Sequence, residues 1–359
     1  TWSLSEGTHL KSLIDILKVD ESLFDNMIQS SSFSDVLKLE LNDTDYVNNN
    51  ELDIHKLKLD CREYINIQNE PLKISNIRSR ELLGMCNIND THNYDNKRFN
   101  ARYVVKNAYS EQETKWKSLE WPIKSVVRVD RLTELRYVTG LTRGGVNIDG
   151  QEKLIQPIDM RDGDKFGYCR LHFGEGILFN IKPEYIYNIA KTRNDDLSPE
   201  QATMIHSKDH ILKNYREQMP YLENNDKNLN EFSVLHTLSH LLIKELCEVS
   251  GFSLGSIRER LYMIHNENNE INQCSILLYT SGPSSDGTLG GLVRQATKIQ
   301  IEKIVDRAIA AQDMCSNDPV CHDHHPNSDE PNGAACHSCV YLPETSCELR
   351  NYLLDRRWG

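Results

Sequence analysis

Several features that would announce a common activity are missing from this sequence. No apolar run approaches the roughly 18 residues that a membrane-spanning helix needs, and no basic start followed by an apolar centre stands at the front. Neither a membrane span nor a secretory leader is therefore expected, and the reading is a soluble, cytoplasmic protein. Positive charge is scarce: 41 Lys and Arg against 53 Asp and Glu leave a formal net charge of -12 over 359 residues. A chain of that sign has no global basic field to hold nucleic acid by counterion release, so a DNA contact must be local or made through a partner. The Gly-Lys-Ser/Thr ending of a nucleotide-binding loop is absent, as is the His-Glu-x-x-His of a zinc peptidase. No Ser-His-Asp or Cys-His nucleophile arrangement can be argued from spacing, because such triads assemble only in space. The expectation is a protein that is not an enzyme and takes no small-molecule substrate. The first residue is Thr1 rather than Met, which suits the C-terminal part of a longer protein.

Cysteine is present, and its distribution is informative. Five of the ten are scattered singly, at Cys61, Cys86, Cys169, Cys247 and Cys274, and read as small buried hydrophobes. The other five crowd into the last stretch, as Cys315-x5-Cys321, then Cys336-x2-Cys339, then Cys347. Two sulfurs separated by two residues reach one ion from a single tight turn, and a second pair delivered by a loop completes a tetrahedron of thiolates around zinc. One structural zinc is expected, held by four of these five. Cys321, Cys336 and Cys339 are the firm members, with Cys315 and Cys347 competing for the fourth place. His322, His324, His325 and His337 lie nearby as further candidates.

The fold class read from the pattern is α+β: a helical and irregular N-terminal region over residues 1–124, a small mixed, β-containing middle over 125–230, and a C-terminal α/β cysteine-rich, zinc-binding domain over 231–359. A length of 359 residues is enough for two or three domains with a sizeable core. Leu10 to Leu17 suits an amphipathic helix. Val126 to Val129, Leu135 to Val138 and Ile177 to Ile181 read as strands. Phe232, Leu235, Leu238, Leu242 and Leu246 fall at helical spacing and Gly251 ends that helix. Ser256 followed by Glu259 has the spacing of a capping box and predicts a second helix. Ser275 to Thr280 reads as a buried strand, and a long helix carries Ala296, Ile299, Ile304, Ala308 and Ile309 into the cysteine cluster.

Two smaller constellations stand outside that cluster. His236 and His240, four apart on the predicted helix, project from one face and would serve as a structural pair or share a second metal. The glycine-rich run from Gly282 to Gly291 precedes the long helix, so its amides, through Gly287, Gly290 and Gly291 with Arg294 beside them, would make an anion or DNA-backbone contact. Lys244 with Arg258 and Arg260, and Arg350 with Arg356 and Arg357, read as solvated faces or salt bridges.

The ordered motifs of the last third carry a resemblance. The runs beginning at His236, Ser256 and Leu278, the Cys315 to Cys321 segment, the Ala334 to Cys339 segment and the Leu342 to Cys347 segment resemble the four-cysteine domain of the DrmB subunits of DISARM antiphage systems. A more divergent form occurs at the C-terminus of MrfA-like DNA repair helicases. Arg131 to Arg136, Gly140 to Arg143 and Gly174 to Ile177 look like the middle of DrmB proteins. The resemblance implies a non-catalytic subunit of an antiphage defence complex, partnering a DrmA-like superfamily 2 helicase that engages DNA through the complex. Two other readings stand beside it: a zinc-bearing DNA-binding protein acting alone, and a metal-dependent nuclease or hydrolase using His236, His240, Asp286 or the cysteine cluster.

Overall fold

The computed structural model describes residues 17, 20–40, 47–48, 51–55, 57–58, 61, 74–86, 94–95, 99–137, 141–146, 152–155, 159–161, 164–166, 169–195, 229–266, 270–280, 291–326 and 332–357. The chain divides into two compact units, residues 1–77 and 78–359. The divisions expected after 124 and after 230 do not coincide with them, because strands from all three expected regions share one sheet.

The first unit holds helices α1 (Glu21–Gln29) and α2 (Ser31–Glu40) and a short antiparallel ribbon of β1 (Val47–Asn48) with β2 (Glu51–Leu52). Asp20 caps α1, its carboxylate accepting from the amides of Ser22 and Leu23. Phe24, Ile28, Leu37, Leu57 and Cys61 make its core.

The second unit is built on a six-stranded antiparallel sheet, giving the α+β class expected. Its strands are β3 (Tyr94–Asp95), β4 (Asn100–Val105), β5 (Ile123–Tyr137), β10 (Cys169–Ile181), β11 (Ile257–His265) and β12 (Ile271–Thr280), in the order β11-β12-β10-β5-β4-β3. The two runs read as separate strands around Val126 and Leu135 belong to the single long β5. Two small ribbons, β6 (Leu141–Val146) with β7 (Glu152–Ile155) and β8 (Asp159–Arg161) with β9 (Asp164–Phe166), come between β5 and β10. Against one face lies α3 (Ile74–Cys86), whose Leu82 and Met85 pack on Val127, Leu178 and Leu277. Against the other lie α5 (Pro183–Asp195), α6 (Leu229–Ser250) and α7 (Lys298–Ala311), with Phe232, Leu235, Leu238, Ile304 and Ala308 meeting Val126, Ile177 and Phe179. A short α4 (Thr114–Lys117) buries Trp116 at the margin of this core.

At the centre of the sheet, β10 carries a bulge between Gly174 and Gly176. Gly176 sits so close to β12 that a Cβ there would lie 3.0 Å from the Leu278 carbonyl oxygen and 3.1 Å from Tyr279 Cβ. Gly176→Val is accordingly expected to cost about 2 kcal/mol or more by forcing these strands apart, read as a lower denaturation midpoint. An unchanged midpoint would show that the strands give way freely.

Helix α6 is central to this second unit. The predicted periodicity is present, but burial extends all round: 17 of its 22 residues are buried, so it is a central helix and not an amphipathic surface one. Gly251, at φ +75, ends it, its amide bonding the Cys247 carbonyl at 2.9 Å.

The helix expected from Ser256 is not there; the chain runs as β11. Ile257, Glu259 and Leu261 are buried while Arg258 and Arg260 are less so, the period-two alternation of a strand. Pairing with β12 along nine residues overrides the capping-box spacing. Ser256 bonds Ser253 side chain to side chain at 2.6 Å, and Glu259 turns into the core.

Candidate metal centre

After α7 the chain continues in turns, and its cysteines converge. Cys315 and Cys321 arrive on the turn that follows α7; Cys336 and Cys339 form a knuckle in which the Cys339 amide bonds the Cys336 carbonyl at 3.2 Å. The Cys336 amide in turn donates to the Cys339 sulfur at 3.2 Å. Cys315 lies 3.5 Å from Cys336, sulfur to sulfur, Cys321 3.7 Å from Cys339, and Cys336 3.7 Å from Cys339. All four sulfurs fall within 4.8 Å of one another. Thiolates about 2.3 Å from a tetrahedral zinc stand roughly 3.8 Å apart, so the cluster has the size of that ion's coordination shell. These separations are far beyond a disulfide of about 2.05 Å, and none of the ten cysteines is in a disulfide.

The surroundings suit the charge of such a site. Four thiolates around a divalent ion leave two negative charges, and two cations stand beside them. Lys244, on α6, donates to the Cys339 carbonyl. Burial pushes its ammonium pKa down, while the thiolates of Cys339, Cys336 and Cys315 pull it back up. Arg356, 1 % exposed, pairs with Asp318, donates to the Gln312 carbonyl at 2.7 Å, and hydrogen-bonds Cys321. Burial raises the thiols of Cys321 and Cys339. At Cys336 burial also raises the thiol, but hydrogen bonds from Cys315, from the Ser338 amide and from Cys339 outweigh it and bring the pKa down to about 7. A closed shell of four thiolates has no open position, which makes it structural and not a site for activating water.

Cys347, the rival for the fourth place, is elsewhere. Its sulfur lies 3.2 Å from His236 Nε2, in a buried group with His240 and Glu259 whose ligand atoms also fall within 4.8 Å of one another. Helical spacing put His236 and His240 on one face, and their rings meet edge-on with centroids 4.5 Å apart. Glu259 was invisible as a site residue because its spacing to Ser256 matched a helix cap; the alternation around it was the signal that could have found it. Among the other histidines, His322 contacts Asp323, His324 the Gly333 carbonyl, His325 accepts from Arg357, and His337 stacks edge-on with Tyr341.

The anion contact expected at the glycine-rich run divides. Gly287 and Gly290 lie outside the described residues, as does Asp286. Gly291 is in a turn before a single 3-10 turn, Val293–Gln295, which carries the exposed Arg294, and α7 begins only at Lys298 with Thr297 as its cap. The next amide, Leu292 N–H, is already bonded at 2.7 Å to the buried carboxylate of Glu175. The run therefore does not feed the start of α7. Three of the six cations in the basic clusters are in ion pairs: Arg260 with Glu81, Arg357 with Asp355 and Arg356 with Asp318.

Residues 238–340 match the family model of the MrfA Zn-binding domain. This MrfA Zn-binding domain span starts on α6, takes in Cys315, Cys321, Cys336 and Cys339, and stops one residue beyond the last of them. With that match, the four-cysteine cluster fits one zinc ion. His236 and Cys347 fall outside the span. The chain is also similar to the DISARM protein DrmB of Bacillus paralicheniformis (strain ATCC 9945a / NCIMB 11709 / CD-2), 40% identical over 126 residues. That stretch is 35% of this chain and 21% of the relative, so the matched part spans about a fifth of the relative's length. No helix among the described residues is long and apolar enough to cross a membrane.

Proposed function

We propose that this chain is a zinc-stapled, non-catalytic part of a DISARM-type antiphage defence subunit, working in the cytoplasm beside a DrmA-like helicase that holds the DNA. The observation that carries this is the 40% identity to a DISARM protein over 126 residues. The physical character of the chain agrees. Its four-cysteine set is closed, several arginines are taken up in internal pairs, and the net charge of -12 opposes unaided DNA binding while favouring a basic protein partner.

The test is co-expression of the tagged chain with its genomic neighbours. A helicase should co-purify at matched stoichiometry, the pair should bind DNA, and the chain alone should bind at least a hundredfold more weakly at physiological salt. Nanomolar DNA binding by the chain alone would overturn this division of labour in favour of a self-contained DNA-binding protein. Metal-dependent cleavage by the isolated chain, lost in His236→Ala, would favour an enzyme.

A further inference from the structure

We propose that His236, His240, Glu259 and Cys347 hold a second divalent metal ion of the zinc type, buried and structural, beside the four-cysteine centre. The reading does not depend on the antiphage function. Three segments far apart in sequence deliver the ligands. Helix α6 presents His236 and His240 one turn apart, β11 turns Glu259 inward, and the segment after the cysteine knuckle supplies Cys347. The four residues are 0, 0, 2 and 7 % exposed, so the group is closed to solvent.

The hydrogen bonds around the group leave its acceptors facing one another. His240 Nδ1 lies 2.8 Å from the Val340 carbonyl oxygen. A carbonyl only accepts, so Nδ1 bears the hydrogen and Nε2 of the neutral ring is a bare lone pair. That Nε2 is buried, makes no hydrogen bond, and points toward Glu259 Oε1 at 3.5 Å. Glu259 already accepts from the Glu348 amide at 3.0 Å and from the Ser239 hydroxyl. The Cys347 sulfur accepts from the amides of Leu349 and Asn351 at 3.3 and 3.2 Å, as the Cys315 sulfur does from Asn317 at 3.4 Å. His236 Nε2 stands 3.1 Å from Glu259 Oε1 and 3.2 Å from that sulfur. His236 Nε2 can donate to Glu259 or to the sulfur but leaves His240 Nε2 without a partner, so a carboxylate, a sulfur held by two amides and a bare nitrogen converge out of reach of water, a set that one cation among them would satisfy together.

The charge count closes. One carboxylate, one thiolate and two neutral imidazoles around a divalent ion sum to zero, the condition for burial without further counterions. The four-cysteine centre, by contrast, has Lys244 and Arg356 beside it. Two nitrogens, one oxygen and one sulfur make a borderline donor set that suits zinc. The Val340 carbonyl fixes the His240 ring as an outer-shell group commonly does, and Val340 follows Cys339, so the two centres share a backbone link.

The whole chain, purified without added metal or chelator, should carry two ions, measured as the metal-to-protein ratio by elemental mass spectrometry. X-ray absorption should give five sulfur and three nitrogen or oxygen ligands over the pair. Cys347→Ser and His240→Ala should each reduce the ratio from two to about one and leave an all-sulfur shell. One ion per wild-type chain in an all-sulfur shell overturns the proposal, as do variants that keep two. Should either variant fail to fold, the wild-type ratio and shell decide the matter alone.

Discussion

Cys339→Ser is expected to release the zinc of the four-cysteine centre and to unravel the chain from about residue 312 onward. Among the described residues after α7 there is no helix or strand, only turns and irregular chain. Their order rests on the ion and on apolar anchors such as Val340, Leu342, Leu349 and Leu354, which lie in the same core as α6. Structural zinc sites contribute on the order of 10 kcal/mol of apparent binding free energy. Much of that is offset by ordering the loop, and a net loss of about 4 kcal/mol is a conservative expectation, enough to lower the melting temperature by roughly 10 °C. The loss should appear together as a reduced zinc content, a lower melting temperature and new proteolytic cleavage after Gln312. Cys169→Ser removes an exposed cysteine outside both ligand groups and should alter none of these. Retention of zinc with an unchanged melting temperature in Cys339→Ser would sink the structural assignment.

The same centre has a pH dependence whose sign follows from burial. Without metal the Cys321 and Cys339 thiols are raised and hold their protons at neutral pH. Zinc must displace those protons, so affinity falls as pH falls. Competition with a chromogenic chelator should therefore strip the ion more readily at pH 6 than at pH 8, after correction for the chelator's own protonation. An affinity independent of pH would mean that the sulfurs are already thiolates in the metal-free state.

How far the sequence could be read followed the range of the interactions. Helix α7 was legible because its burial follows a helical period, α6 because apolar residues recur at that period although burial extends all round, β12 because it is a short continuous apolar run, and Gly251 because a positive φ favours its residue type. The knuckle of Cys336 and Cys339 was legible because two sulfurs three residues apart share a turn. What spacing could not decide was settled at long range. Cys315 and Cys347 had equal local claims on the fourth place, and Cys347 lies instead 111 residues along the chain from its contact with His236. Ser256 and Glu259 met the rule for a helix cap, but hydrogen bonding to β12 outweighed it. Arg356 was readable as a solvated charge or a salt bridge, and nothing local shows that its partner is Asp318, 38 residues away. The sheet itself was under-read for the same reason, since β5 pairs with β4 on one side and β10 on the other.

Gly333→Ala should be the most damaging single methyl that can be added near the zinc centre. A Cβ at this position would collide with the Asp355 carboxylate and stand 2.8 Å from Arg357 Nη2. Asp355 cannot move aside cheaply. It is fully buried, and its Oδ1 accepts from the amides of Ala334 at 3.2 Å and Arg357 at 3.1 Å. Its Oδ2 holds Arg357 Nη2 at 2.8 Å, and its own amide donates to Thr237 on α6 at 3.0 Å. The Gly333 amide also bonds the Leu354 carbonyl at 2.8 Å, so the backbones on both sides are pinned. Relief requires either a backbone shift, about 1–3 kcal/mol for overpacking, or rupture of the buried ion pair, about 3–5 kcal/mol when a charge is left without its partner. Asp355→Ala alone should cost the latter amount, because it strands the Arg357 guanidinium and the Ala334 amide. In the double variant the added methyl fills space that the carboxylate vacated, so the two losses should fall short of additive by about 1 kcal/mol or more, as expected for residues in direct contact. Denaturant unfolding of the four proteins measures that coupling. Strict additivity would mean that Gly333 and Asp355 do not meet, and that the chain after the cysteine knuckle is held to α6 by its apolar anchors alone.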